Sequence, residues 1–138
     1  MRIFLDANIL FSAAKSDGAV RQLLRNLQQA SHALVADSYV QTEAVRNIAA
    51  KADTQAARYL DALLSTADVS TVQFVKVSRA LESATLWLPE KDRPVLLAAM
   101  VLACGVLVTG DSTHFGAGYG KRFEGVTVRS PRQLAELI

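Results

Sequence analysis

The sequence is poor in the features that mark secreted, membrane-spanning and polyanion-coating proteins. Its single cysteine, Cys104, cannot form an internal disulfide, which fits a reducing compartment. The longest apolar run, residues 95–108, is interrupted by Gly105 and is shorter than the roughly 20 residues that a membrane-spanning helix needs. The chain also reaches Asp6 too early for the apolar core of a signal peptide. We therefore expect a cytoplasmic protein with no membrane segment.

Charge is also scarce. The formal net charge is +2, which is too small for the protein to coat nucleic acid by its overall charge. Any polyanion must therefore be bound at a local site. Hydrophobic residues make up 51% of the 138 positions and charged residues 20%, which argues against disorder and predicts one domain, residues 1–138, with an ordinary core. Such a composition leaves apolar surface for a partner, and we expect a homo-oligomer, with a dimer favoured.

Residues 88–115 are the most informative stretch of the sequence. Pro94 is tolerated in the first turn of a helix, and Gly105 is typical of the left-handed residue that ends one, so a helix is predicted over residues 93–104. The apolar, β-branched run at residues 106–109 then predicts a buried parallel strand. One acid precedes the helix and another follows the strand.

Strands and helices alternate along the rest of the chain. Short apolar runs predict further strands at residues 3–5, 33–36, 71–77 and 126–129. Helical spacing and capping residues predict helices over 19–30, from 38 onward, over 54–65 and 78–87, and after Ser130. The glycine-rich residues 116–120 are expected to be a flexible connection. The pattern predicts a three-layer α/β/α sandwich around a mainly parallel sheet.

Four acids fall at one edge of this predicted sheet: Asp6, Glu43, Asp92 and Asp111. Helix N-termini and strand C-termini share an edge in a parallel sheet, and ligands of open parallel sheets bind there. Carboxylates this close raise one another's pKa or need a cation between them. Carboxylate oxygens suit Mg²⁺ or Mn²⁺, and such a cation supports phosphodiester hydrolysis.

Each acid also has an ordinary explanation. Asp92 is suited to interact with a helix dipole, Asp111 to form a turn, and Glu43 to be a solvated helix charge. Asp6 is harder to explain in this way, because an acid that ends a buried strand needs a partner. His114 precedes an apolar phenylalanine, is interpreted as structural, and is kept out of the catalytic set.

The residues that carry these acids resemble PIN-domain ribonucleases, including the toxin nucleases of toxin–antitoxin pairs. The resemblance covers nearly the whole chain and rests on Leu5-Asp6-Ala7-Asn8, Glu43, Lys91-Asp92-Arg93-Pro94 and Thr109-Gly110-Asp111. It implies an endoribonuclease dependent on Mg²⁺ or Mn²⁺, with one or two metal ions held by the four acids. It further implies supporting roles for Asn8, Thr109 and Ser112, and for a toxin it implies an antitoxin partner.

The basic residues near these motifs are Lys91, Arg93, Lys121 and Arg122. An acidic edge by itself repels phosphate, so these side chains are candidates for guiding RNA, although sparse basic residues are usually only solvated surface. A PIN-like RNA-binding or assembly module without cleavage is the alternative function. A phosphatase or phosphoacceptor fits less well, because the first strand ends in Asp-Ala-Asn and no lysine follows the last strand.

Overall fold

The structure is a computed structural model that describes residues 1–73 and 77–138. These residues form a six-stranded sheet with the order β3-β2-β1-β4-β6-β5. The strands are β1 (Arg2–Leu5), β2 (Ala33–Asp37), β3 (Asp68–Ser70), β4 (Val106–Val108), β5 (Arg122–Phe123) and β6 (Val126–Arg129). All neighbouring strands are parallel except β5 and β6, which are antiparallel.

Helices connect the strands and cover the sheet. They are α1 (Ala7–Lys15), α2 (Ala19–Gln29), α3 (Ser38–Lys51), α4 (Thr54–Thr66), α5 (Arg79–Ser83), α6 (Arg93–Val101), α7 (Ser112–Phe115) and α8 (Pro131–Leu137). Helix α1 packs against α2, α3 and α4, whereas α6 packs against β4 and β6. The predicted three-layer sandwich with a mainly parallel sheet is confirmed. Among the described residues, no helix has the length and apolar character needed to cross a bilayer.

Strand β1 lies in the interior of the sheet, between β2 and β4. Its residues Ile3, Phe4 and Leu5 are completely buried, as expected for a parallel strand covered on both faces. The N–H of Asp6 donates to the carbonyl of Val108 at 3.1 Å, which extends the β1–β4 pairing by one residue. The C-terminal ends of β1 and β4 therefore lie side by side.

Local capping explains where several helices begin. Asp53 accepts a hydrogen bond from the N–H of Ala56 and caps α4, as predicted. Ser130 and Gln133 form the predicted capping box of α8. The capping box expected at Ser38 is wrong, because Asp37 caps α3 through the N–H of Val40. Strand β2 therefore runs directly into α3, without an intervening loop.

Two helices differ from the prediction. Helix α1 was not predicted, although four of its residues, Ile9, Leu10, Ala13 and Ala14, are buried at helical spacing. Helix α6 ends at Val101 rather than at residue 104, and Ala103, with φ 55°, takes the left-handed conformation expected of Gly105. Gly105 is not available for this role because its N–H donates to the carbonyl of Arg2 in the strand ladder, at 3.0 Å.

The region between α4 and α6 also differs. The strand predicted at residues 71–77 is wrong for residues 71–73, which have no regular structure, and residues 74–76 lie outside the described part of the chain. The third strand is Asp68–Ser70 instead, beside β2. The helix predicted over residues 78–87 begins as expected with the cap Ser78 but ends at Ser83.

The glycine-rich segment 116–120 is a packed turn rather than a flexible connection. Gly118 is buried in a 3-10 turn, where a Cβ atom would collide with the indole ring of Trp87. That indole stacks on Phe123 with ring centroids 4.7 Å apart and meets Phe115 edge to face at 6.2 Å. The turn also carries Tyr119, whose hydroxyl group reaches the end of β4.

We predict that Gly118→Ala destabilises the protein by about 2 kcal/mol, because the methyl group must displace the partly buried indole of Trp87. Gly116→Ala is the matched control, since its Cβ would meet Ser112 at an ordinary 3.8 Å. Chemical denaturation of both variants measures the difference. Equal stability of the two variants would contradict the packing described for Trp87.

Candidate metal centre

The site begins with Asp6, a buried carboxylate at the junction of β1 and α1. Its side chain is the N-cap of α1, where Oδ1 accepts the N–H of Ala7 at 2.7 Å. Its other oxygen, Oδ2, accepts the hydroxyl of Thr109 at 2.7 Å and the side-chain amide of Asn8 at 3.1 Å. Asp6 is only 5% exposed, so these hydrogen bonds replace the water that burial removes.

Thr109 and Asn8 join the ends of β1 and β4. Thr109 is completely buried, and its Oγ1 accepts the N–H of Asp111 at 3.2 Å while donating to Asp6. Asn8 Oδ1 accepts the N–H of Gly110 at 2.8 Å. The side chain of Asn8, which follows β1, thus holds the backbone of Gly110, which follows β4. The network sets the position of Asp111 relative to Asp6.

Asp92 and Asp111 meet at the imidazole of His114. His114 Nδ1 lies 3.0 Å from Asp92 Oδ2 and 2.9 Å from Asp111 Oδ2. Asp111 caps α7 and accepts the N–H of His114 at 3.1 Å, so the two side chains belong to one turn of helix. Asp92 comes from the other direction, at the N-cap of α6. The structure therefore brings these two acids together across 19 positions of the sequence.

The contacts at His114 leave hydrogen-bonding capacity unused. Despite the short distances, Asp92 Oδ2 and His114 Nδ1 are inaccessible to solvent and make no hydrogen bond of acceptable geometry to any part of the chain that the structure describes. Buried polar atoms without a partner are rare in proteins. One ligand atom each from Asp92, Asp111 and His114 lies within 4.8 Å of the others. Two carboxylate oxygens and an imidazole nitrogen at this spacing fit a divalent cation such as Mn²⁺, and the oxygens alone fit Mg²⁺.

Glu43 approaches the same centre from α3. It is half-buried, and its negative charge acts on Asp6 and on the hydroxyl of Tyr39. The charge of Asp92 also acts on Asp6. The charges of Glu43 and Asp92 thus act on Asp6, and that of Asp111 on Asp92, but among the described residues only Asp92, Asp111 and His114 bring ligand atoms within 4.8 Å of one another.

Burial dominates the electrostatics of the cluster. It raises the pKa of Asp6 to about 6, against the hydrogen bonds from Thr109 and Ala7, and Glu43 and Asp92 raise it further. Burial also raises the pKa of Asp92, with Lys91 and His114 opposing the rise and Asp111 adding to it. Burial therefore makes the charged forms of Asp6 and Asp92 costly, neighbouring acids add to that cost, and a bound cation would offset it.

The predicted RNA-binding residues are divided between two places. Lys91 is exposed beside Asp92, and Arg93 Nε donates to the carbonyl of Leu88 at 3.0 Å, which anchors the start of α6. Arg122 pairs with Thr127, and Thr127 pairs with Val106 at the first residue of β4, so Arg122 lies toward the sheet edge opposite the acids. Lys121 lies just before β5, where its carbonyl accepts the N–H of Val128 at 3.1 Å. The structure does not bring Arg122 to the acidic edge.

Ser112, which the sequence predicted as a supporting residue, and His114, which it did not place in the site, lie on the same short helix α7. Ser112 begins α7 next to Asp111, and its side chain is exposed. His114, which the sequence analysis treats as structural, contacts two of the four acids. Its spacing of three residues from Asp111 was the available signal, because residues three apart share a helix face. The helix itself was not predicted, so that signal was not used.

The acidic site does not coincide with two larger grooves of the described structure. Two apolar grooves of about 520 and 600 Å³ lie between α3 and α4 and between α2 and α8. A smaller cleft of about 400 Å³ adjoins the acids and is lined by Asn8, Ser12, Gly110 and Asp111, among others. Chemistry, rather than cleft size, identifies the site.

The mainly parallel sheet with helices on both faces is an α/β architecture consistent with a PIN-like fold. The chain is similar in structure to VapBC2 from Rickettsia felis, solved with a DNA fragment from the promoter, at a TM-score of 0.67 and 18% identity over 94% of this chain and 98% of that chain. It is also similar to VapC20 of Mycobacterium tuberculosis, a sarcin–ricin loop cleaving toxin, at a TM-score of 0.57 and 16% identity over 84% of this chain and 95% of that chain.

Comparison by sequence identifies no relative of this chain. No family model matches the chain, and no curated protein matches it. The likeness to the two VapC structures therefore shows the fold, and the resemblance expected from the sequence motifs is confirmed at that level.

We predict that Asp6→Asn flattens the pH dependence of stability in the metal-free protein. Because the pKa of Asp6 rises from 3.8 to about 6 on folding, the folded protein binds a proton that the unfolded chain has lost between these values. Stability contributed by protonated Asp6 is therefore lost as the pH rises through this range, by up to about 3 kcal/mol. An amide does not titrate, so the variant lacks this loss.

Urea unfolding between pH 4 and pH 7.5 with a chelator present measures the effect. Asp61→Asn, which changes an exposed acid on α4, serves as the control and should follow the wild type. An equal fall in stability for Asp6→Asn and the wild type would contradict the raised pKa.

Proposed function

We propose that the protein is a metal-dependent endoribonuclease that hydrolyses phosphodiester bonds in single-stranded or loop RNA. The observation that carries the proposal is the convergence of Asp92, Asp111 and His114 beside the buried Asp6, with a buried oxygen of Asp92 that has no hydrogen bond to any residue the structure describes. Such a concentration of negative charge costs stability, so a binding role explains it better than a structural one. The VapC-like fold supports the same function.

The metal would be Mg²⁺ or Mn²⁺, held by Asp6, Glu43, Asp92 and Asp111. Asp92 and Asp111 present convergent oxygens, and His114 offers a nitrogen at the same point. When bound, the cation would activate a water and offset the charge that builds up on the phosphate. Whether one ion or two are held depends on how Asp6 and Glu43 share the cluster with the other pair.

The chain's own residues supply orientation. Thr109 and Asn8 hold Asp6 in one rotamer, so its carboxylate is directed before any ligand arrives. Asp111 is held by the backbone of α7 and by Thr109. Exposed Ser112 lies where a phosphate oxygen could accept a hydrogen bond, and Lys91 is the basic residue nearest to the acids for guiding RNA. Arg93, Lys121 and Arg122 are weaker candidates for this role.

The likeness to VapC20, a toxin, leads us to propose that this chain is the toxin of a type II toxin–antitoxin pair. An antitoxin protein would then be its partner, and RNA its substrate. We further propose a single PIN-like domain over residues 1–138 that acts in the cytoplasm as a homo-oligomer, with a dimer favoured. Gel filtration with light scattering tests the dimer directly.

We predict that the purified protein cleaves RNA only when Mg²⁺ or Mn²⁺ is present. Labelled single-stranded RNA and a sarcin–ricin-loop hairpin are incubated with metal or with chelator. Asp6→Asn and Asp92→Asn should each lower cleavage at least about 100-fold, because even residues behind the ligands of a metal site change activity 10- to 100-fold. Asp61→Asn should cleave as the wild type does, and circular dichroism should show that all variants fold.

The results separate the enzyme from its alternative. RNA that binds but stays intact with either metal, across both substrates, would support a PIN-like RNA-binding or assembly module instead. Cleavage that survives both substitutions would overturn the assignment of the acids to the active site. Cleavage by the wild type in chelator would overturn the metal requirement.

A further inference from the structure

Two tyrosine hydroxyl groups hold the backbone segments that carry the acids. Tyr39 Oη donates to the carbonyl oxygen of Lys91 at 2.8 Å, directly before Asp92. Tyr119 Oη donates to the carbonyl oxygen of Thr109, also at 2.8 Å, directly before the Gly110-Asp111 turn. Neither hydroxyl is needed to complete a helix or a strand. Both bonds end at the acidic edge.

Tyr39 connects two elements that each supply an acid. It lies in the first turn of α3, four residues before Glu43, so the two side chains share one face of the helix. Its hydrogen bond reaches the 3-10 turn Glu90–Asp92, so it sets the distance between α3 and Asp92. The same hydroxyl lies close to the carboxylate of Glu43, so Tyr39 stands between the two elements that carry Glu43 and Asp92.

The hydroxyl of Tyr39 is also held in its donating form. Burial raises the pKa of Tyr39, and the negative charges of Glu43, Asp92 and Asp6 raise it further. The same causes act on Tyr119, where burial comes first and Asp111 and Asp6 follow. Both phenols are therefore protonated, and able to donate, at neutral pH.

Tyr119 acts on the other half of the cluster. The packed turn around Gly118 places it beneath the end of β4. The residue whose carbonyl it holds, Thr109, uses its own side chain to donate to Asp6 and to accept the N–H of Asp111. A shift of this peptide would move both acids at once.

We propose that Tyr39 and Tyr119 are positioning residues, whose hydroxyl groups set the spacing of the four acids and thereby the affinity of the site for Mg²⁺ or Mn²⁺ without touching the ion. The inference rests on the proposed function only in that the acids bind metal. It assigns no part of the cleavage chemistry to either tyrosine.

The test is titration of the chelator-treated protein with Mn²⁺ by calorimetry, for Tyr39→Phe, Tyr119→Phe and the double variant. Phenylalanine keeps the ring and removes only the hydroxyl group. Each single variant should bind Mn²⁺ about 2- to 10-fold more weakly, the range that one hydrogen bond supplies. The double variant should show the product of the two losses, with unchanged stoichiometry.

The matched control is Tyr59→Phe. Tyr59 lies on α4, and its ring centroid is 3.7 Å from the guanidinium carbon of Arg21 on α2. Arg21 in turn donates to the carbonyls of Ala13 and Ala14 at the C-terminal end of α1, the end opposite to Asp6. Its variant should bind Mn²⁺ as the wild type does. A second readout separates positioning from folding: thermal unfolding without metal reports stability, and RNA cleavage at saturating Mn²⁺ should return to within about twofold of the wild type.

The outcomes distinguish this inference from the proposed function. Mn²⁺ affinities of Tyr39→Phe and Tyr119→Phe equal to those of the wild type and Tyr59→Phe would overturn the inference alone. The inference would also be overturned if Tyr39→Phe, Tyr119→Phe and Tyr59→Phe all lost Mn²⁺ affinity in proportion to their loss of melting temperature. Weakened Mn²⁺ binding in a protein that cleaves no RNA would support it while ending the nuclease proposal. A wild type that binds no Mn²⁺ would end both.

Discussion

The buried carboxylate of Asp6 is the constraint on which the rest of the site depends. It ends the central strand, caps the first helix, and has exchanged water for the hydroxyl of Thr109, the amide of Asn8 and one backbone N–H. These hydrogen bonds only partly offset its desolvation, because its pKa remains raised to about 6. Under the proposed function, a bound cation would offset the remaining cost of burying this charge.

The sheet topology brings the other polar side chains to the buried carboxylate of Asp6. Parallel pairing of β1 with β4 places Thr109 beside Asp6, although they are far apart in the chain. Asp111 then follows within two residues, and α6 returns Asp92 to the same edge. The imidazole of His114 lies between these two acids and provides the polar contact at the point where they converge. The geometry thus combines rigid support for Asp6 and Asp111 with unused ligand capacity at Asp92.

Several features of the fold and the site were predicted because they depend on local physics. The strand residues of β1 and β4, the cap Asp53 and the capping box at Ser130 follow from apolar runs and from side chains that bond to nearby backbone. Others depended on neighbours distant in sequence. Ala103 ends α6 in the left-handed conformation because Gly105 is already paired with Arg2, and Gly118 is enclosed because Trp87 packs over it.

The sequence by itself determined the alternation of strands and helices and the mainly parallel sheet, because these follow from periodicity and from the direction of parallel strands. The shared edge of the four acids is a prediction from the same direction rule. Only the tertiary structure decided which side chains meet. It placed His114 between Asp92 and Asp111, turned Arg122 toward the opposite edge, and brought two tyrosine hydroxyls onto the backbone beside the acids. Such contacts depend on how helices and strands pack against one another, to within the length of a hydrogen bond. The pattern of residues within one segment does not determine the distance between two segments.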